Sequence, residues 1–206
     1  MNNAYGEPSD KVYSDVDGID EVRSLINKYA SKRLVDSFIL NLAKSPSSPK
    51  TAVVFPPLIY GRGRGPVNQR SVQAPGLSRV ALQRREAVQV GKGQSIWSNV
   101  HITDISQIFV KLVEKAVQGE DGDLWNEKGL YFAENGAMVC FFPLTVSYIV
   151  HYTDKDRQPF HELSQLIAQE GSRLGLVDSQ SVAQLTHEQA DQLSPLSGLF
   201  WGTNAR

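Results

Sequence analysis

A five-residue apolar run, Thr51-Ala-Val-Val-Phe55, stands between Pro49 and the pair Pro56-Pro57. Its β-branched residues and its lack of polar alternation fit a strand buried on both faces, as in parallel sheets flanked by helices. Prolines cannot donate to a sheet ladder, so they fix the strand as a short one. After them comes Leu58-Ile59-Tyr60-Gly61. About forty residues further on, an extended segment from Ser95 to Ile102 ends in Val100-His101-Ile102-Thr103-Asp104. Asp104 is positioned to cap an amphipathic helix with Ile105, Ile108, Phe109, Leu112, Val113 and Ala116 inward. Gly129-Leu-Tyr-Phe-Ala133 reads as another strand. Strand and helix patterns alternate, which predicts an α/β fold rather than a bundle.

The remaining punctuation is consistent with that class. Residues 1–17 are polar and read as loop. Asp20 caps a helix expected over 21–44, with Val22, Leu25, Ile26, Leu34, Val35, Phe38, Ile39 and Leu42 on a helical period, stopped by the Ser-Pro-Ser-Ser-Pro run at 45–49. Gly61 to Pro75 is expected as irregular loop, with helices over Leu77–Ala87, His161–Arg173 and Ser181–Gln192. A chain of 206 residues can bury a sizeable core as one domain or one and a half.

Net charge of −1 argues against a dedicated nucleic-acid binder. Between Gly61 and Lys92, however, seven basic residues (Arg62, Arg64, Arg70, Arg79, Arg84, Arg85, Lys92) face one acid, Glu86. They form either an anion-facing patch or a solvated loop and helix face. Cys140 is the single cysteine, so there is no disulfide framework and a reducing compartment is expected. The first residues have neither a basic start nor an apolar stretch, and the longest apolar run, 137–150, is too short to span a bilayer. The expected localisation is cytoplasmic, with no membrane partner. The four histidines, at 101, 151, 161 and 187, have no metal-ligand spacing.

The Pro56-Pro57-Leu58-Ile59-Tyr60-Gly61 exit and the Val100-His101-Ile102-Thr103-Asp104 junction, in this order and at this separation, resemble the second half of an extended short-chain dehydrogenase/reductase of the NAD-dependent epimerase/dehydratase family. The likeness runs from about Ser14 to Gly136 and resumes from Pro159 to Arg206. It implies a partial Rossmann-like parallel sheet edge in 1–60 and a small C-terminal substrate-binding lobe in 61–206. It also implies NAD or NADP as cofactor, a small-molecule substrate bearing a carbonyl, hydroxyl or nucleotide-sugar group, and an assembly that in the family is often dimeric. In such enzymes a Tyr-x-x-x-Lys pair on one helical face moves a proton and holds the nicotinamide ribose. Here the text is Lys28-Tyr29-Ala30-Ser31-Lys32-Arg33, so Tyr29 and Lys32 are the implied catalytic pair, one residue out of step. Lys32 and Pro56 are the implied cofactor contacts, with Phe55 where an arginine commonly precedes the proline. Asn68, Ser71 and Gln73 are the implied substrate contacts. His101 reads as a core hydrogen-bonding residue.

Two departures shape the functional expectation. No strand with a Gly-x-x-Gly-x-x-Gly turn precedes Ser14, and Gly61-Arg-Gly-Arg-Gly65 carries bulky arginines where a phosphate loop needs close backbone approach. The sequence therefore reads as a truncated NAD(P)-dependent oxidoreductase or partial gene product, inactive as it stands. A non-catalytic binding or regulatory module is the alternative. In addition, joining Met138 to Pro159 restores family-like text, so 139–158 reads as a foreign insertion, either a translated intron or an ordinary strand and loop.

Overall fold

The computed structural model describes residues 5–44, 49–133 and 159–204. The expected insertion at 139–158, with Cys140, lies outside the described residues. Elements run α1 (Ile19–Lys28), α2 (Leu34–Leu42), β1 (Val53–Phe55), β2 (Leu58–Tyr60), α3 (Gln73–Arg84), β3 (Ala87–Val90), β4 (Asn99–His101), α4 (Ile102–Val117), a 3₁₀ turn (Asn126–Lys128), β5 (Leu130–Phe132), α5 (Phe160–Arg173), β6 (Val182–Leu185), α6 (His187–Leu193) and α7 (Ser197–Gly202). The fold is α/β with parallel pieces of a Rossmann-like sheet.

Among the described residues three strand pairs form, all parallel: β1 with β5, β2 with β4, and β3 with β6. The Pro56-Pro57 step separates β1 from β2, so the chain changes partner between two three-residue strands. On β1, Val53 and Phe55 pack with Val22, Ile26 and Leu40 of α1 and α2. Val54 points the other way, to Val100 of β4, Ile105 of α4 and Ala133. That period-two alternation makes a helix–sheet–helix sandwich. A second core gathers α3, β3, α5, α6 and α7 around Leu77, Val88, Val90, Phe160 and Trp201. Asp15 Oδ2 accepts from the Phe132 N–H at 2.8 Å and so satisfies an outward-facing donor of β5.

Six local expectations are corrected. The helix expected over 21–44 is two helices with a turn at 29–33. At about 100° per residue, an unbroken helix would carry Arg33 into the inward stripe of Val22, Ile26, Ser37 and Leu40. Burying that charge costs more than breaking the helix, and Arg33 instead lies exposed, paired with Asp36 at 3.2 Å. The cap of α1 is Gly18, not Asp20. The third helix starts at Gln73 rather than Leu77, since Pro75 falls in the first turn where no N–H is needed, and it ends at Arg84 with Arg85 left-handed at φ 57°. Ala87–Val90, expected partly as helix, is a fully buried strand. Its partner Val182–Leu185 was expected as helix too. The actual helix begins after Thr186, whose hydroxyl and the Gln189 side chain form a reciprocal capping box. Finally, α4 starts at Ile102 with His101 as its cap, and Asp104 sits inside the first turn.

Candidate functional site

The β2–β4 pair sets Leu58 beside Asn99 and Tyr60 beside His101. Alongside it lies a cavity of about 350 Å³, bounded by β2, the start of α3, the strand approach at 97–99 and the first turns of α5. Its polar side chains are Tyr60, Ser71, Gln73 and Asn99, and its apolar wall includes Leu58, Trp97 and Phe160. Residues 97 and 99 share the cavity face because strand side chains alternate, which turns Ser98 the other way into the interior. The Trp97 indole N–H donates to the Thr203 carbonyl at 2.6 Å, and its ring meets Phe200 edge-on with centroids 6.3 Å apart. Trp97 is thus a fixed wall, its one donor already engaged.

His101 locks the far end of the pair. Its Nδ1 accepts from the Thr103 N–H at 3.3 Å, capping α4, and its ring lies edge-on to Tyr60 at 5.2 Å. Gly61 follows at φ +95°, and a Cβ there would lie 2.4 Å from His101 Nε2. Only glycine permits the turn and the close approach together.

Ser71 and Gln73 are both brought into the cavity, while Asn68 is exposed in the preceding loop, its Oδ1 accepting from the Arg70 N–H at 3.2 Å. Pro56 is exposed at the exit of β1. Tyr29 and Lys32 lie in the turn after α1, where the Lys32 N–H donates to the Tyr29 carbonyl at 2.8 Å and the Lys28 ammonium sits 5.5 Å from the Tyr29 ring centroid. None of Tyr29, Lys32 and Pro56 lines the cavity. Tyr60, Trp97 and Asn99 were not singled out as ligand contacts. The signal for them was the Trp-Ser-Asn alternation entering a strand that pairs with the Pro-Pro-Leu-Ile-Tyr exit. Of the seven basic residues, Arg84, Arg85 and Lys92 are paired with Glu86, Asp178 and Glu7, whereas Arg62, Arg64 and Arg70 are exposed in the loop.

The described residues do not fit the pyrophosphate of a dinucleotide. Such a site needs free backbone N–H groups at a helix start behind a glycine turn. The strand-to-helix junctions into α4 and α6 are capped by their own side chains, His101 and Thr186 with Gln189. The segment after Gly61 runs through exposed loop before α3 begins.

Comparison with known families matches residues 4–126, more than half of the chain, to the NAD dependent epimerase/dehydratase family. The chain belongs to that family. An oxidase, ucsJ, of an Acremonium species is 34% identical over 214 aligned positions. The alignment takes in the whole of this chain but 56% of the relative, so the chain spans little more than half the length of that relative. Among the described residues, no helix of this family member is long and apolar enough to cross a membrane.

Proposed function

We propose that the chain forms the substrate-holding part of an NAD(P)-dependent oxidoreductase of the extended short-chain type, acting on a carbonyl, hydroxyl or nucleotide-sugar substrate. The observation that carries this reading is the cavity: it unites Ser71 and Gln73, two of the three positions implied as substrate contacts by the family resemblance, with Tyr60 and Asn99 against an apolar wall. The Acremonium relative is an oxidase, which agrees with redox chemistry. The chain's own residues bind and orient the oxygen of the substrate through the Tyr60, Ser71 and Gln73 side chains. The apolar wall keeps bulk water from that face. The cofactor supplies the hydride acceptor or donor, and no described residue forms the cradle for its pyrophosphate.

A second reading, a non-catalytic module that keeps the cavity, is favoured by one observation: Tyr29 and Lys32 occupy a turn instead of one helical face. Both readings are tested by joining the chain to a dinucleotide-binding half from the family and following nicotinamide absorbance with carbonyl, alcohol and nucleotide-sugar substrates. For the enzyme, Ser71→Ala with Gln73→Ala lowers kcat/KM by about tenfold or more through lost hydrogen bonds, and Tyr29→Phe lowers kcat. Turnover indifferent to the Ser71 and Gln73 changes contradicts the substrate site. Ligand binding without turnover selects the module.

A further inference from the structure

Among the described residues, the lining of the cavity contains no charged side chain. Resting on the substrate-site reading above, we infer that it takes a neutral, flat, largely apolar ligand with a carbonyl or hydroxyl group, and that it discriminates against nucleotide diphosphates.

Three observations carry this. The volume of about 350 Å³ lies at the small end of the roughly 300–1,000 Å³ range of ligand sites, room for one compact ring system. The apolar side is rigid and aromatic: Trp97 is held by its bond to the Thr203 carbonyl and by Phe200, and Phe160, 4% exposed, is anchored in the second core. A planar conjugated system can lie against such a wall. The polar side offers the Tyr60 hydroxyl, the Ser71 hydroxyl and the Gln73 amide, none of which hydrogen-bonds to another described residue. These are neutral donors and acceptors suited to a ketone or alcohol oxygen. A diphosphate moved into this lining loses hydration with no cation among the described lining residues to replace it. Arg62, Arg64 and Arg70 do not supply one, since they project from the exposed loop and lie outside the lining.

The experiment is a titration of the full chain with 1-tetralone, a neutral bicyclic aryl ketone, and with UDP-glucose, read by calorimetry and by tryptophan fluorescence. The expected result is 1-tetralone binding with Kd of about 1 mM or tighter and UDP-glucose at least about tenfold weaker. Gln73→Ala weakens 1-tetralone by about three- to tenfold, and Trp97→Phe removes most of the fluorescence response while leaving an aromatic wall. Gln73 is the first residue of α3 and only partly buried, so Gln73→Arg keeps the fold, and the cation it introduces raises UDP-glucose affinity. UDP-glucose binding as tightly as 1-tetralone, displacing it and weakened by Arg62→Ala, Arg64→Ala and Arg70→Ala, overturns the ligand class and leaves the substrate-site reading standing. Failure of both ligands to bind at about 10 mM overturns both.

Discussion

Gly61→Ala is the substitution that the β2–β4 junction tolerates least. Two separate effects add. At φ +95° an L residue occupies the left-handed side of backbone space, which costs about 1–2 kcal/mol. The new methyl would lie 2.4 Å from His101 Nε2 and 2.6 Å from Cδ2, so the ring has to retreat by roughly 1 Å to reach ordinary contact. A shift of that size breaks the 3.3 Å bond from the Thr103 N–H to His101 Nδ1, and losing a helix cap costs about 1 kcal/mol. The sum is about 2–3 kcal/mol. For a chain of this size it lowers Tm by about 4–12 °C. Chemical and thermal unfolding followed by far-UV circular dichroism measure it. The decisive form is a double-mutant cycle with His101→Ala: in that background the clash and the cap are already gone, so Gly61→Ala costs about 1–2 kcal/mol and the coupling is about 1 kcal/mol. Equal cost in both backgrounds would falsify the claim that Gly61 exists to admit the histidine ring. Because Tyr60 rests edge-on against that ring, the same substitution also weakens ligand binding in the cavity.

Three further outcomes are expected. Leu34 and Phe38, 71% and 66% exposed on α2, drive self-association, so Leu34→Glu with Phe38→Ser raises the concentration at which size-exclusion chromatography shows a single monomeric peak; each change alters stability by no more than about 0.5 kcal/mol, and a larger loss contradicts their exposure. Arg33→Leu removes the charge that breaks the helix, so backbone chemical shifts of residues 29–33 move to helical values; unchanged shifts show that something else sets the turn. Glu188 is held below its ordinary carboxylate range by its own backbone N–H, then by the Thr186 hydroxyl and His187. A depressed folded pKa gives stability present above the unfolded pKa and lost as pH falls through the folded one, so Glu188→Gln flattens the melting curve against pH below about pH 5 and leaves the alkaline side unchanged.

Much of the sandwich around β1 was legible because its signals are local. Prolines bracket β1 on both sides, and of the stripe expected inward on α4, Ile105, Ile108 and Leu112 do turn to the interior, whereas Phe109 and Val113, 53% and 62% exposed, and Ala116 face outward. The α5 boundaries also matched within a residue. What the sequence concealed was decided by tertiary contacts. Val182-Ala-Gln-Leu185 has no strand signature of its own and becomes a strand because Ala87–Val90 is there to pair with it. The break at 29–33 carries no proline or glycine; only the sum of positions 22, 26, 37 and 40 shows that an unbroken helix would bury Arg33. At the cavity, Ser71 and Gln73 were expected together with Asn68 from the loop's amide and hydroxyl groups and do line it, whereas Tyr60, Trp97 and Asn99 converge from strands far apart in sequence. Their register, Leu58 beside Asn99, is what makes them one surface.

On the proposed reading, the described residues hold the substrate side of an NAD(P)-dependent fold and form no pyrophosphate cradle. Calorimetric titration of the chain with NAD and NADP tests it most directly. One charge-assisted hydrogen bond from Lys32 contributes about 1.5–3 kcal/mol, and millimolar affinity alone requires about 4 kcal/mol net of association costs. The account predicts Kd of about 1 mM or weaker for both dinucleotides. Micromolar affinity for either contradicts it.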